Sequence, residues 1–401
     1  MQTYTEKFVT DNKLQLTPEF HESLLKAKIF SKSDEDIKKC AQQIRDGKLV
    51  SFPTETVYGL GADATNETAI RSIYEAKGRP LTDPVIVHIS NRKMVDNLID
   101  HSDADIDLLN YLADNLWPGP ITFIMKANLE YIPAVVTANT GYVGIRFPVN
   151  EFALKLIEYA GTPICAPSAN KFAHISPTSS VHVFNDLFDK DISIIDGPNS
   201  IHGMESTVVK IVNNEKERAL YVLRHGSVPT SKIRELIKSD IRFSATVQIH
   251  EKQVESSRCV TKNAEAPGQL LKHYCPKITT YLLTGNPEYK DCNKNPFEID
   301  FSKTILVDFN KKLNSLGLAD KVLKVFDLSD KGDVEEAMQN FYAYLREAEL
   351  VESADTILII GKEEFRQSID KNREFFHALW DKMFRSASGQ AVFFNRTEDN
   401  S

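Results

Sequence analysis

The chain has few of the residues that staple a fold or carry it through a membrane. Its 401 residues include five cysteines, Cys40, Cys165, Cys259, Cys275 and Cys292, an odd set with no C-x-x-C spacing. That argues against a disulfide framework and a zinc ribbon, and fits a reducing, cytosolic setting. No apolar run approaches the ~20 residues of a membrane-spanning helix, so no membrane role is expected. The N-terminal stretch carries Glu6, Asp11, Glu19 and Glu22 and no arginine, unlike a signal or transit peptide. Positive charge is also in deficit. A formal net charge of −8 and an isoelectric point of about 5.8 disfavour a protein that coats nucleic acid non-specifically, but leave room for a local basic cleft. Two phosphate-binding signatures are missing as well. There is no G-x-x-x-x-G-K-[ST], and Gly59-Leu60-Gly61 lacks the third glycine of a dinucleotide fingerprint, so any nucleotide is held by another architecture.

What is present is the composition of a globular chain. The 42% hydrophobic and 26% charged fractions exclude disorder as the main theme, and the length allows two or three domains with a substantial core. Residues 1–32 read as an extension with one helix around Pro18 to Lys28. A helix then runs from Ser33 or Asp34 as N-cap to Arg45, with Ile37, Ala41 and Ile44 on one side and Gly47 as its stop. Short apolar strands follow at Leu49–Pro53, Pro84–Ile89, Ile121–Lys126, Val143–Phe147, Pro163–Ala166, Ile192–Asp196 and Thr207–Val212. Helices at Thr68–Ala76 and Ile106–Asn115 are interspersed among them. This α/β domain spans 33–235. Residues 236–278 lose helical periodicity and read as a linker. Strand-like runs at Thr279–Leu283, Lys303–Asp308, Val322–Asp327 and Asp355–Gly361, with a helix at Val334–Leu350, indicate a smaller parallel α/β domain over 279–401.

Two polar motifs stand out, Lys77-Gly78-Arg79 after the Thr68–Ala76 helix and Ser168-Ala169-Asn170 after an apolar strand. Together they offer a point charge, a planar cationic fork, a hydroxyl and an amide, with Gly78 letting the backbone approach a phosphate. Taken alone, the cations of the first motif read more readily as solvated charges favoured by a helix C-terminus. Thr54, Thr56 and Tyr58 follow a strand, where α/β sheets hold ligands, or else simply satisfy a turn. Arg146 at a strand end suits a carboxylate or a structural ion pair, and His88 is similarly ambiguous. Ser206 and Thr207 enter one strand, and Arg224 leaves another.

In order along the chain, SFPTETVYGLGAD, EAKGRP, DPVIVHI, LWPGPITFIM, VGIRFP, PICAPSAN, GMESTVV and LRHG resemble the YrdC-like family of threonylcarbamoyl-AMP synthases. PGQLLKHYCP, FYAYLREAE and WDKMFRSAS are similar to the linker and C-terminal domain of its long, two-domain form. The resemblance implies an N-terminal twisted mixed sheet with surrounding helices, a linker acting as a lid, and a smaller Rossmann-like domain. It also implies a nucleotidyltransferase that joins L-threonine, bicarbonate and ATP, with Mg2+, into threonylcarbamoyl-adenylate and pyrophosphate for proteins that modify tRNA. By the same match, Lys77 and Arg79 are catalytic. Those two, with Asp83, Tyr142, Ser168, Asn170, Ser176, Arg224 and Tyr274, take ATP. Thr56, His88, Arg146, Ser168 and Ser206 take threonine. No protein metal ligand is implied, and Cys165 is read as packing. Two other classes share the domain: a double-stranded RNA-binding module, which would bring an RNA contact, and a carbamoyltransferase, whose zinc fingers the cysteine spacing does not offer.

Overall fold

Hydrophobic patterning and helix capping produce most of the elements. The structure is a computed structural model and describes residues 4–12, 22–102, 104–251, 266–267, 273–284, 299–313, 317–362 and 369–393. The chain divides into two units, the first comprising Met1–Phe172, Ser176–Gln253 and Cys259–Gln269, the second Ala173–Ile175, Val254–Arg258 and Leu270–Ser401.

The first unit begins with α1 (Tyr4–Asp11), β1 (Lys28–Phe30), α2 (Asp34–Arg45), β2 (Leu49–Phe52), β3 (Gly59–Asp63), α3 (Glu67–Lys77) and β4 (Ile86–His88). It continues through α4 (Val95–Leu98), α5 (Ile106–Leu116), β5 (Ile121–Lys126), β6 (Tyr142–Arg146), α6 (Glu151–Ala160), β7 (Ile164–Cys165) and α7 (Ser180–Leu187). It closes with β8 (Ile192–Ile195), β9 (Thr207–Asn213), β10 (Arg218–Arg224), α8 (Thr230–Ser239) and β11 (Gln248–Glu251). The strands form one eleven-stranded mixed sheet in the order β1-β8-β2-β3-β7-β4-β6-β5-β9-β10-β11.

Helix α2 shows why these segments fold as they do. The Ser33 hydroxyl accepts the Asp36 N–H, and Asp34, Glu35 and Asp36 sit in the first turn where the helix dipole favours anions. Its buried face, Ile37, Cys40, Ala41 and Ile44, packs with Leu156 and Ile157 of α6 and with Phe52, each large side chain contributing roughly 1.5–3 kcal/mol. Helices α3 and α5 bury their apolar faces in the main core with Phe123, Ile145 and Val87.

Several elements differ from the sequence expectation. Residues 18–21 of the helix expected at Pro18 to Lys28 lie outside the described residues. Glu22–Leu24 form one 3-10 turn, and Lys28–Phe30 pair parallel to β8 as an edge strand. Phe8 and Val9 of α1 enter the main core, so the extension is part of the unit. The sheet also runs on into the segment expected to be linker. Strand β11 pairs parallel to β10, and Phe243 is buried. In that segment, residues 252–265 and 268–272 lie outside the described residues.

The second unit carries β12 (Thr279–Thr284), β13 (Thr304–Asp308), β14 (Lys324–Asp327), α9 (Val334–Ala348), β15 (Thr356–Ile360), α10 (Ile369–Ser386) and β16 (Ala391–Phe393). Its five strands are all parallel, in the order β14-β13-β15-β12-β16. Every residue of β13 and β15 is buried, as expected for strands covered on both faces. Among the described residues no helix is long and apolar enough to cross a membrane.

Candidate functional site

Lys77 is the last residue of α3, and the helix is stopped by Gly78, whose φ of +65° is left-handed. A Cβ at Gly78 would meet nothing within 4 Å. Its glycine serves the left-handed turn, and no protein atom crowds that face. The turn sends the Lys77 side chain inward, where it is buried and its ammonium donates to the main-chain carbonyls of Ser168, at 2.6 Å, and Asn170. In return the Phe172 N–H donates to the Lys77 carbonyl at 2.8 Å. The S-A-N loop is tied to the sheet through a Gly59–Ser168 bridge and an Ala169 N–H bond to the Tyr58 carbonyl. Within the loop, the Ser168 hydroxyl donates to Asn170 Oδ1 at 2.5 Å, and Asn170 Nδ2 donates to the Lys171 carbonyl at 2.7 Å.

Arg79 is oriented by main-chain acceptors. Its Nε donates to the Asp83 carbonyl at 3.1 Å and its Nη2 to the Pro84 carbonyl at 2.8 Å. The same Nη2 stands 2.9 Å from Asp83 Oδ2, close enough for an ion pair. The alignment is poor, and neither Asp83 oxygen receives a hydrogen bond. Burial pushes the Asp83 carboxyl up, against the opposing pull of Arg79, Lys77 and Arg224.

The remaining candidates are brought together by sheet register. His88 on β4 pairs with Arg146 on β6, and Arg146 pairs with Thr122 on β5. Arg146 donates from Nη1 to Thr56 Oγ1 at 2.8 Å and from Nη2 to Glu55 Oε1 at 2.6 Å. Glu55 Oε2 accepts the Val149 N–H at 3.3 Å. Burial raises the Glu55 carboxyl, but the Arg146 charge and its hydrogen bonds outweigh that and hold it below the usual range. The His88 ring is buried edge-on to Phe52, and its Nδ1 has no partner among the described residues. Burial first, then the Arg146 charge, lowers it to about 3, so the imidazole is neutral near pH 7.

Ser206 precedes β9, with its hydroxyl 2.8 Å from that of Thr122. Arg224, at the end of β10, donates to the Ser206 carbonyl and hydroxyl, each at 3.0 Å, and to the Pro267 carbonyl at 3.1 Å. The Ser176 hydroxyl donates to Glu205 Oε1 at 2.6 Å. Gly226 makes the close approach possible, since a Cβ there would lie 2.4–2.5 Å from main-chain atoms of Glu205, Ser206 and Thr207.

These contacts tie Lys77 to Ser168 and Asn170, pair Arg79 with Asp83, and link Thr56 to Arg146 and Ser206 to Arg224, with His88 in register beside Arg146. The Asp83 carboxyl also feels the charges of Lys77 and Arg224. Tyr142 lies at the outer end of β6, partly exposed, with Lys210 Nζ 3.9 Å from its ring centre. Tyr274 belongs to the second unit, its ring 5.4 Å from that of Tyr342 and 5.0 Å from Lys382 Nζ. Tyr58 is spent structurally, its hydroxyl donating to the Gly197 and Pro198 carbonyls. Thr54 satisfies its own turn by accepting from the Thr56 and Val57 N–H groups. Burial pushes the Cys165 thiol far up, as suits a packing residue. Glu55, Thr122 and Glu205 were not anticipated. Each sits beside a named hydroxyl residue or in a strand alternation, and a carboxylate inside PTETV or GMESTV was the available signal. Among the described residues no group of three or more His, Cys, Asp or Glu is arranged to hold a metal.

Residues 42–226 match the Sua5/YciO/YrdC family, described as telomere recombination, and residues 228–388 match the threonylcarbamoyl-AMP synthase C-terminal domain. A mixed-sheet YrdC-like unit followed by a parallel α/β unit defines the class: a two-domain protein of the YrdC-like fold. A threonylcarbamoyl-AMP synthase from Pyrococcus abyssi is 37% identical over 329 residues, 82% of this chain and 89% of that protein. Identity along most of both chains settles the family: the chain belongs to the threonylcarbamoyl-AMP synthases. One from Schizosaccharomyces pombe is 31% identical over 345 residues, 80% of this chain and 82% of that protein. The crystal structure of P. abyssi Sua5 complexed with L-threonine is similar with a TM-score of 0.74 at 31% identity, covering 92% of this chain and 99% of that one.

Proposed function

We propose that the chain joins L-threonine, bicarbonate and ATP into L-threonylcarbamoyl-adenylate and pyrophosphate, supplying an activated threonylcarbamoyl group to proteins that modify tRNA. What supports this is a cationic group, Lys77 bonded to the Ser168 loop and Arg79 paired with Asp83, together with a hydroxyl-rich group in which Arg224 bonds Ser206, Ser206 meets Thr122 and Arg146 bonds Thr56. In this reading the first group takes the nucleotide and the second the amino acid. Both groups hold cations, as a reaction between two anions requires, a carbamate oxygen attacking the α-phosphorus of ATP.

Charge neutralisation and positioning are then the main catalytic tasks. Lys77 and Arg79 hold the triphosphate and its developing charge, and Ser168 and Asn170 complete the phosphate and nucleotide contacts. Asp83, Tyr142, Ser176, Arg224 and Tyr274 belong to the ATP half in this assignment. Arg146 takes the threonine carboxylate through the face it does not give to Glu55, with Thr56, His88, Ser168 and Ser206 around the rest of the amino acid. Mg2+ bound with ATP would supply further charge neutralisation. A reducing cytoplasm is the setting, in keeping with free thiols at Cys40, Cys165 and Cys275.

The deciding experiment incubates the full chain with ATP, Mg2+, labelled bicarbonate and threonine, and looks for an acid-labile labelled adenylate. Pyrophosphate release indifferent to threonine would sink the assignment.

A further inference from the structure

The cations of the nucleotide half already have an anion among them. Asp83 is buried, its Oδ2 lies 2.9 Å from Arg79 Nη2, and Lys77 and Arg224 act on the same carboxylate. Its backbone is pinned. The Asp83 N–H donates to the Pro80 carbonyl at 3.1 Å, and the Asp83 carbonyl accepts from the Tyr74 hydroxyl and from Arg79 Nε, each at 3.1 Å. The side chain is therefore fixed among the cations, yet neither of its oxygens receives a hydrogen bond. A carboxylate built for structure alone is expected to accept several hydrogen bonds, because charge without them compensates burial poorly. Asp83 has attraction without hydrogen bonds, the situation of a group that stands in for another anion.

We propose that the Asp83 carboxylate is the resident counter-ion of the triphosphate site and takes up a proton from solvent when phosphates reach Lys77, Arg79 and Arg224. This rests on the nucleotide assignment above. Without nucleotide, three clustered cations in a low-dielectric site are balanced by the carboxylate. With nucleotide, the carboxylate becomes a like charge beside the phosphates, and two anions sharing one site favour protonation of the weaker acid. The step is a carboxylate oxygen plus a proton giving a carboxylic O–H, with no other bond formed or broken. The new O–H can donate to a phosphate oxygen.

The titratable and charged groups facing Asp83 are Tyr74 and Lys77 from α3, Arg79 from the following turn and Arg224 from the end of β10. Among these groups Asp83 is the carboxyl, the one that phosphate repulsion drives toward protonation. Burial has already raised it, so phosphate repulsion acts on a carboxyl displaced in the same direction.

Calorimetric titration of the full chain with ATP, without threonine, tests this in buffers of different ionisation enthalpy, with and without Mg2+. The pH is kept above the last ionisation of ATP. The expected dependence of the observed enthalpy on the buffer corresponds to uptake of about one proton per ATP, and affinity that falls as pH rises. Asp83→Asn, with similar shape and a permanent donor, should bind ATP at least as tightly with proton uptake reduced to near zero. The wild-type buffer series decides the matter even if the variant does not fold. ATP binding without proton uptake overturns the proposal and leaves the enzymatic assignment standing. Failure to bind ATP overturns both. Loss of affinity in Asp83→Asn only when Mg2+ is present would make Asp83 a metal ligand and also overturn it.

Discussion

The buried ammonium of Lys77 donates to the main-chain carbonyl of Ser168 at 2.6 Å, joining two motifs 91 residues apart. Neutral carbonyls position the charge without neutralising it. Lys77→Ala removes the charge and leaves both carbonyls without this donor. Pyrophosphate release with all substrates should fall by roughly 10²-fold or more, accompanied by a lower Tm. Lys77→Arg should not restore the rate, because a planar fork cannot place one point charge between two carbonyls.

Arg146 and Glu55 form a buried pair 2.6 Å apart, and the pair separates stability from binding. Arg146→Met leaves Glu55 as an uncompensated buried charge, a loss of about 3–5 kcal/mol. The double change Arg146→Met with Glu55→Met should recover most of that stability in denaturant unfolding. Its KM for threonine should stay far above the wild-type value, because the proposed carboxylate partner is gone.

Fold and site were legible to different depths. Strands such as Ile121–Lys126 announce themselves as apolar runs, and Ser33 marks the start of α2 by its capping chemistry. β1 and β11 do not. They are edge strands of three and four residues, with Ile29 as the single buried residue between them, and their pairing depends on a neighbour outside the run itself. Among site residues, Lys77 and Arg79 stood out as a cationic motif after a helix, Arg146 as a cation where alternation called for a core residue and Ser206 at a strand entrance, and their ordered motifs resembled a known family. Glu55 and Thr122 did not, because an ion pair across β6 and a hydroxyl contact across β5 and β9 exist only once register brings distant segments together. Gly78 was legible as a special position, and its dihedral angle adds that the turn itself requires a left-handed residue.

Acid should destabilise this site through two groups whose signs agree. Burial and the Arg146 charge lower His88 to about 3, below its unfolded value, so folding favours the neutral ring. That contribution is complete above the unfolded value of about 6.5 and is lost as pH falls below it. Glu55 is held below its unfolded value despite burial, so its contribution is present above about 4.3 and is lost at lower pH. Unfolding free energy measured by urea titration from neutral pH downward should fall in two stages. His88→Asn should flatten the upper stage by one proton relative to wild type and leave the lower one in place.

Two glycines should respond differently to the same added methyl group. At Gly78 a Cβ meets nothing within 4 Å, and the cost is the left-handed φ of +65° alone, about 1–2 kcal/mol. Gly78→Asn should cost less, since asparagine tolerates that conformation. At Gly226 the Cβ would fall 2.4–2.5 Å from main-chain atoms of Glu205, Ser206 and Thr207, none of which is a flexible side chain that can swing aside. Gly226→Ala must therefore displace the segment carrying Ser206, and with it the Thr122 and Arg224 hydrogen bonds. The expected outcome is a lower Tm for both variants. KM for threonine should rise at least several-fold in Gly226→Ala and stay near wild type in Gly78→Ala. An unchanged threonine KM in Gly226→Ala would show that Ser206 does not set the threonine half of the site.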